Sequence, residues 1–325
     1  MGDAYDQAEA AWMNTSDRVL EDLADRQAAD EEPNPFGEEF DAPPVTANGS
    51  KAKKKKITFD RWGRYNNLPP VPGYEDVRGW TRVSTLKETL EDQYRLEAWK
   101  RRQVVLGLRR DPALLQSFTR QINPRSKFGK DKLNAVANRA MDLAGTDEGA
   151  KAGTARHEII EAMYDPTTTL NRDLLEPEEL EWLEGFELIM SVKNIRFIPA
   201  YAERPVVIPE IGCAGTLDTI LWHDDRLKIG DLKTQRWKPG QFDRIGLSVQ
   251  LGCYSRARFM LDFDTWSWQN MPQVDQSEGV IIWAPAEEPG VCKPLGVDLD
   301  FGWQAALASK QARDWRNRKG IIYDL

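Results

Sequence analysis

The feature that most limits how this chain can fold is a pair of apolar, strand-like runs, residues 214–222 (AGTLDTILW) and 226–234 (RLKIGDLKT), joined by the tight turn HDDR. Such a pattern predicts an antiparallel hairpin. Pairing about Asp224 and Asp225 sets residue 218 opposite roughly residue 231, so Asp218 and Asp231 become cross-strand neighbours. Lys233 shares the face of Asp231, because side chains alternate along a strand. Two carboxylates and one ammonium therefore converge at the end of a sheet. Taking like charges out of water costs on the order of several kcal/mol unless a cation neutralises them, and a hard divalent ion such as Mg2+ suits carboxylate oxygens. Taken alone, the Asp231-Leu232-Lys233 tripeptide reads better as an ordinary surface ion pair, since such a tripeptide is common by chance.

The flanking sequence predicts what surrounds this hairpin. Residues 4–29 space Ala8, Trp12, Val19 and Leu23 as on one amphipathic helix, and residues 30–56, rich in Pro, Gly and charge, read as a disordered linker. Order is expected to resume near Trp80, with a helix opened by a Thr85–Glu88 capping box and continued by Leu86, Leu90, Tyr94 and Trp99. Asp111 and Pro112 open another helix, and a third runs from about Asp131 to Leu143. Beyond residue 150 come a helix containing GTARHEIIEAMYD and a second over Pro177–Val192, with Leu180, Leu183, Phe186 and Met190 on its core side. Strands over 196–208, 214–222 and 226–234 follow, read as a meander. A long helix over about Gln241–Met260, the strand GVIIWAP, a strand near 293–299 and a helix from Trp303 to about Arg318 complete the order. This is an α/β core with a mixed sheet flanked by helices, and it carries no dinucleotide-binding glycine fingerprint.

Net charge is −8, but its distribution matters more. Residues 1–50 hold 13 acids and 2 bases, residues 51–150 hold 22 bases and 12 acids, and residues 151–325 hold 20 bases and 27 acids. A basic block inside an acidic chain suits either a phosphate-binding face or an ordinary solvated helical face. The division follows as an acidic tail (1–56), a helical basic portion (57–150) and the core (151–325). Cys213, Cys253 and Cys292 lie about forty residues apart, which predicts buried free thiols rather than a zinc ribbon or disulfides. No run is apolar enough to span a membrane and the amino terminus is acidic, so a soluble, cytoplasmic protein is expected.

Read in order, the chain contains GTARH, GTLD, DLKT and QLGCY. The series GTxxH, GTLD, DLKT, QxxxY resembles the RecB-type nuclease domains of the PD-(D/E)xK superfamily over residues 153–254, and the helical lead-in is similar to stand-alone exonucleases encoded in phage genomes. The resemblance implies a restriction-endonuclease-like core and a Mg2+- or Mn2+-dependent phosphodiesterase acting on DNA in recombination, repair or phage genome processing. By position it implies His157, Asp218, Asp231 and the Leu232 carbonyl as metal ligands, with Lys233 positioning or deprotonating the attacking water. It implies Gln250 and Tyr254 as site support or DNA contacts, and Glu161 beside the ligands. Relatives with an iron–sulfur cluster use four cysteines, so none is expected here, and no GxxxxGK[ST] loop indicates an attached helicase.

On this reading Arg101, Arg102, Arg109, Arg110, Arg125, Lys127 and Lys130 line a DNA groove, Arg236 and Lys238 flank its entrance, and Trp80, Trp99 or Trp237 are candidates to stack on bases. Linear duplex or single-stranded DNA is the expected partner. Other readings stay open: a catalytically silent DNA-end-binding module whose acidic tail recruits a recombinase or single-strand-binding protein, and a structure-selective endonuclease using the same site. The complete Asp218, Asp231 and Lys233 set argues against the silent module, which has no chemical reason to keep all three.

Overall fold

The computed structural model describes residues 56–116, 122–146, 148–164, 170–235 and 245–322, with only the backbone of Glu148 and Ala150. All of these belong to one unit of the chain, Lys53–Leu325. The expected helix over 4–29, the linker up to residue 55, and Arg236, Trp237 and Lys238 lie outside the described residues.

In chain order the elements are β1 (Thr81–Arg82), α1 (Val83–Lys87), α2 (Tyr94–Arg110), α3 (Ala113–Gln116), α4 (Lys127–Leu143), α5 (Glu148–Tyr164) and α6 (Pro177–Val192). They continue as β2 (Arg196–Phe197), β3 (Arg204–Ile208), β4 (Cys213–Leu217), β5 (Thr219–His223), β6 (Arg226–Lys233) and α7 (Ile245–Ser255). The chain closes with β7 (Phe259–Asp262), β8 (Ser267–Asn270), β9 (Glu278–Trp283), β10 (Lys293–Asp298) and α8 (Leu299–Arg316).

The strands form two five-stranded mixed sheets, β1-β4-β3-β7-β8 and β10-β9-β6-β5-β2. β5 and β6 make the expected hairpin, with Asp224 and Asp225 both in the left-handed region (φ 51° and 58°), as a two-residue turn requires. β6 runs parallel to β9, and the pair is covered on both faces. On one face Leu221, Leu232, Val280 and Ile282 meet Trp182, Leu183 and Phe186 of α6 and Ile159 of α5. On the other, Ile220, Ile229 and Ile281 meet Val249 and Leu251 of α7 and Leu299 and Ala306 of α8. Burial from both sides explains why these strands read as continuous apolar runs. Residues 56–80 cover the outer face of the other sheet, where Tyr65, Val71 and Trp80 pack on Val207, Ala214 and Phe259.

Several expectations are corrected. The three runs do not form one meander. Pro199 and Pro209 open 3-10 turns that bound β3, and the chain passes from the first sheet to the second at Asp218, which splits 214–222 into β4 and β5. Order resumes before Trp80, because Tyr65 pairs with both Phe59 and Trp80. The Thr85–Glu88 capping box is not formed: α1 is capped at Arg82 and stops at Lys87, and α2 starts anew where the Asp92 carboxylate accepts the Tyr94 N–H at 2.9 Å. Leu86 is buried, whereas Leu90, Tyr94 and Trp99 are exposed. α7 ends at Ser255, and residues 259–262 become a strand that pairs with β3 and the unexpected β8. Tertiary ladder partners outweigh local helical pattern there. The α6 helix has its expected bounds; Pro177 begins it and the Glu176 N–H donates to Glu179 Oε2 at 3.2 Å. All three cysteines are free and buried.

Candidate functional site

The hairpin register decides what meets at its open end. Thr219 pairs with Gly230, so Asp218 falls opposite Asp231, one step beyond the ladder. Past that step the Leu232 N–H donates to Asp218 Oδ2 at 3.1 Å. Alternation along β6 turns Leu232 toward α6 and turns Asp231 and Lys233 toward α7. Asp231 is 1% exposed. Its carboxylate accepts from Gln250 Nε2 at 3.2 Å on Oδ1, and Lys233 Nζ lies in close ionic contact with Oδ2, an oxygen that no well-aligned hydrogen bond reaches.

The second layer runs outward from Gln250. Lys87 Nζ donates to Gln250 Oε1 at 2.8 Å, which fixes the amide so that its nitrogen faces Asp231. His157, on α5, donates to the Leu232 carbonyl, so these two expected metal ligands engage each other. α5 approaches this closely because it carries glycine at residue 153: a Cβ there would stand 2.7 Å from Thr234 Oγ1, just after β6. Tyr254 is buried, with its ring against Gly215 of β4. That burial makes it a prop for β4, not a surface that DNA reaches.

Charge at this site is unevenly compensated. Burial first, then the charge of Asp231, push the Asp218 carboxyl up to about 7. Burial alone would push the Lys233 ammonium down, but the charges of Asp231, Asp218 and Glu203 more than reverse this and hold it above the usual lysine value. Burial and the Lys233 charge lower His157, so it is neutral near pH 7. Burial and Lys233 likewise lower Lys87. A cleft lined by His157, Glu161, Glu203, Asp218 and Leu232 opens beside Asp218, with Tyr164 and Phe197 stacked at 4.8 Å in its apolar wall.

Two of these residues, Lys87 and Glu203, escape sequence reasoning. Burial, followed by the charges of Asp218, Glu161 and Asp231, pushes Glu203 up to about 8. Its backbone N–H donates to the Asp218 carbonyl at 3.0 Å, and its φ of 50° marks a residue held in a sharp turn before β3. The only local signal is a lone acid preceding an apolar strand. Glu161 also lines the cleft, with its carboxyl raised by burial and by Glu158.

Of the expected DNA contacts, Arg101, Arg102, Arg109 and Arg110 on α2, Arg125, and Lys127 and Lys130 on α4 are all exposed. Arg110 also donates to the Leu143 carbonyl at 2.5 Å, which ties α2 to α4. Arg236 and Lys238 lie outside the described residues. Trp80 is 4% exposed and packs edge-on to Tyr74, so it offers no face for stacking.

The donor set suits a hard cation in kind: two facing carboxylates and an adjacent backbone carbonyl, with Lys233 in contact with Asp231 and Lys87 one layer out. Among the described residues no three His, Cys, Asp or Glu side chains converge as a ready-made metal cage. Mg2+ does not demand one, since it binds through one or two carboxylates and fills its remaining positions with water and substrate oxygens. No helix among the described residues is long and apolar enough to cross a membrane. No protein-family model matches the chain, and no curated protein matches it at a significant level.

Proposed function

We propose that this protein is a Mg2+- or Mn2+-dependent deoxyribonuclease, an exonuclease built on a restriction-endonuclease-like core that hydrolyses phosphodiester bonds in recombination, repair or phage genome processing. The observation that carries this reading is the meeting of Asp218 and Asp231 at the end of the hairpin with the Lys233 ammonium in contact with Asp231. Burial beside Asp231 disfavours ionisation of Asp218, and a bound divalent cation would turn that cost into a binding site. Asp218, Asp231 and the Leu232 carbonyl would hold the ion, with His157 free to exchange its hydrogen bond for a ligand bond. When bound, such an ion polarises a phosphoryl oxygen and acidifies a water.

The chain's own residues then have separate tasks. Lys233, kept cationic by its acidic neighbours, orients water and offsets charge developing on the phosphorus; a group held in its protonated form is a donor, not a base. Gln250, fixed by Lys87, holds Asp231 in one rotamer. Glu203 and Glu161 border the cleft through which a strand would approach, and the exposed bases of α2 and α4 would track its backbone.

The test is to incubate purified protein with end-labelled linear duplex, single-stranded and circular DNA, in Mg2+, Mn2+ or chelator, beside D231A and K233A. Metal-dependent shortening of linear DNA that both variants abolish is the expected result. Intact DNA under every condition, with gel shifts retained, would replace the enzyme by a binding module. Circular DNA cut as fast as linear would replace the exonuclease by an endonuclease.

A further inference from the structure

Outside the site, Trp62 is a large aromatic left 63% exposed in the sequence TFDRWGRY. It stands at the tip of a tight loop built by Asp60. The Asp60 carboxylate accepts the N–H groups of Trp62 and Arg64, each at 2.9 Å, and its carbonyl accepts the Gly63 N–H at 2.9 Å. Gly63 has φ +72°, so only a residue without a side chain makes this turn freely. The Arg64 side chain returns to the same carboxylate, with Nε at 2.8 Å. An exposed indole is therefore presented on a backbone already fixed, which lowers the entropic cost of binding.

Charge concentrates around that ring. The Arg61 guanidinium lies 3.9 Å from the Trp62 ring centre and that of Arg64 4.9 Å, while Arg82 approaches Phe59 at 5.5 Å. Phe59 is itself 47% exposed. Asp60 is committed to Arg64, and among the described residues neither Arg61 nor Arg82 pairs with a carboxylate. A cavity of about 220 Å³ with Arg64 and Arg78 in its wall opens beside the loop. In the sequence the loop follows directly on lysines 51 and 53–56. An exposed indole with the guanidinium of Arg61, which has no carboxylate partner among the described residues, over its ring matches a ligand that alternates flat bases with anionic phosphates.

The loop is also tied to the carboxylate site. Tyr65, the next residue after Arg64, is buried, and its hydroxyl lies 3.2 Å from Thr216 Oγ1, two residues before Asp218. Chain connectivity thus keeps Trp62 within roughly 30 Å of Asp218, inside the roughly 4 to 16 nucleotides that a single-strand binding fold covers.

We infer that the Arg61–Arg64 loop is a single-stranded DNA platform on which Trp62 stacks an unpaired base beside the carboxylate site. This rests on the nuclease reading for its purpose but not for its chemistry. A paired base hides both faces in the duplex, so the platform selects single strands or frayed ends.

The test is fluorescence anisotropy of a labelled oligothymidylate and of a blunt duplex, with the full chain in chelator so that no cleavage occurs. W62A should weaken oligothymidylate binding about 5- to 100-fold and leave duplex binding within twofold, and W62F should restore most of the loss. R61A should lower the salt slope of single-strand binding by about 0.7. Unchanged single-strand affinity in W62A, or an equal loss for duplex and single strand, overturns the platform; so does tighter, Trp62-dependent binding of an oligouridylate. Thermal melts of W62A and W62F matching wild type exclude misfolding as the cause. DNA left uncut in Mg2+ with Trp62-dependent binding intact removes the nuclease and keeps the platform, whereas cutting with indifferent W62A binding does the reverse.

Discussion

Replacing Glu203 by glutamine should make the metal-free protein more stable, and increasingly so as pH rises. Glu203 has an ordinary value of 4.5 in the unfolded chain and is pushed up to about 8 in the fold. A raised carboxyl means that the folded state binds the proton more tightly, so stability falls as pH climbs from the unfolded value through the folded one and levels off above it. At about 1.4 kcal/mol per unit, that penalty is about 1 kcal/mol at pH 5, about 3 kcal/mol at pH 7 and about 5 kcal/mol beyond pH 8. Glutamine keeps the shape and the turn but cannot ionise, so E203Q escapes the penalty. Urea denaturation in chelator at pH 5, 6, 7 and 8 measures this directly: the gap between variant and wild type should open by about 2 kcal/mol between pH 5 and 7. In saturating Mg2+ the wild type should recover part of the difference, because a cation offsets the same negative field. Parallel stability curves across this range, or a variant weaker than wild type at pH 7, would refute the argument that acidic crowding destabilises the site.

Other substitutions probe the packing around it. K233M leaves the Asp231 charge buried without its ammonium and should cost about 3 to 5 kcal/mol, whereas K233M combined with D231N should lose clearly less than the sum of the single losses; additive losses in a denaturant cycle would exclude the pair. At Gly302 of α8 an added Cβ would stand 2.0 Å from the Ser248 carbonyl of α7, so G302A should destabilise by about 1 to 3 kcal/mol, while G149A, with nothing within 4 Å, should be neutral or stabilising by up to about 1 kcal/mol in the same assay. Burial pushes Cys213 and Cys292 up to about 12 and raises Cys253 as well; a disulfide reagent should therefore titrate no thiol in the native protein and three in denaturant, and rapid native reaction would contradict their burial.

How much of this was legible in the sequence depended on whether the deciding interaction was local. The β5–β6 hairpin needs only Asp224 and Asp225 in the left-handed region between two apolar runs, and α6 needs only Pro177 and the Glu176–Glu179 contact at its start. Both are written within a few residues. β7 has a helix-compatible sequence and became a strand because the edge of β3 was open to pair with it, a cause some fifty residues away. Lys87 and Glu203 reach the site from a short helix and from a sharp turn before β3, and no spacing rule joins either to the DLKT motif. Trp80 illustrates the opposite error: its indole suggested a stacking surface, but residues 56–79 fold over the sheet and bury it. The Asp218, Asp231 and Lys233 group was legible because a hairpin turn fixes register, and register fixes faces.

Asp218 gains its position from the end of a ladder. β4 and β5 belong to different sheets, and this single residue lies between them. Its carbonyl accepts from Glu203 at one side, and its side chain takes the Leu232 N–H, a donor that lies beyond the last β5–β6 pair. The carboxylate therefore does structural work and is chemically exposed to the cleft at once. The two contributions separate by substitution. D218A removes the acceptor and leaves the Leu232 N–H unpaired, which should cost about 1 to 3 kcal/mol; D218N keeps an oxygen for that N–H and removes only the charge. D218N should thus be at least as stable as wild type in chelator at pH 8, since burial and Asp231 already push the wild-type carboxyl up to about 7, and it should be as inactive as D218A. Equal destabilisation of both variants would show that the carboxylate charge itself holds the hairpin end, and activity retained in D218N would remove Asp218 from the chemistry.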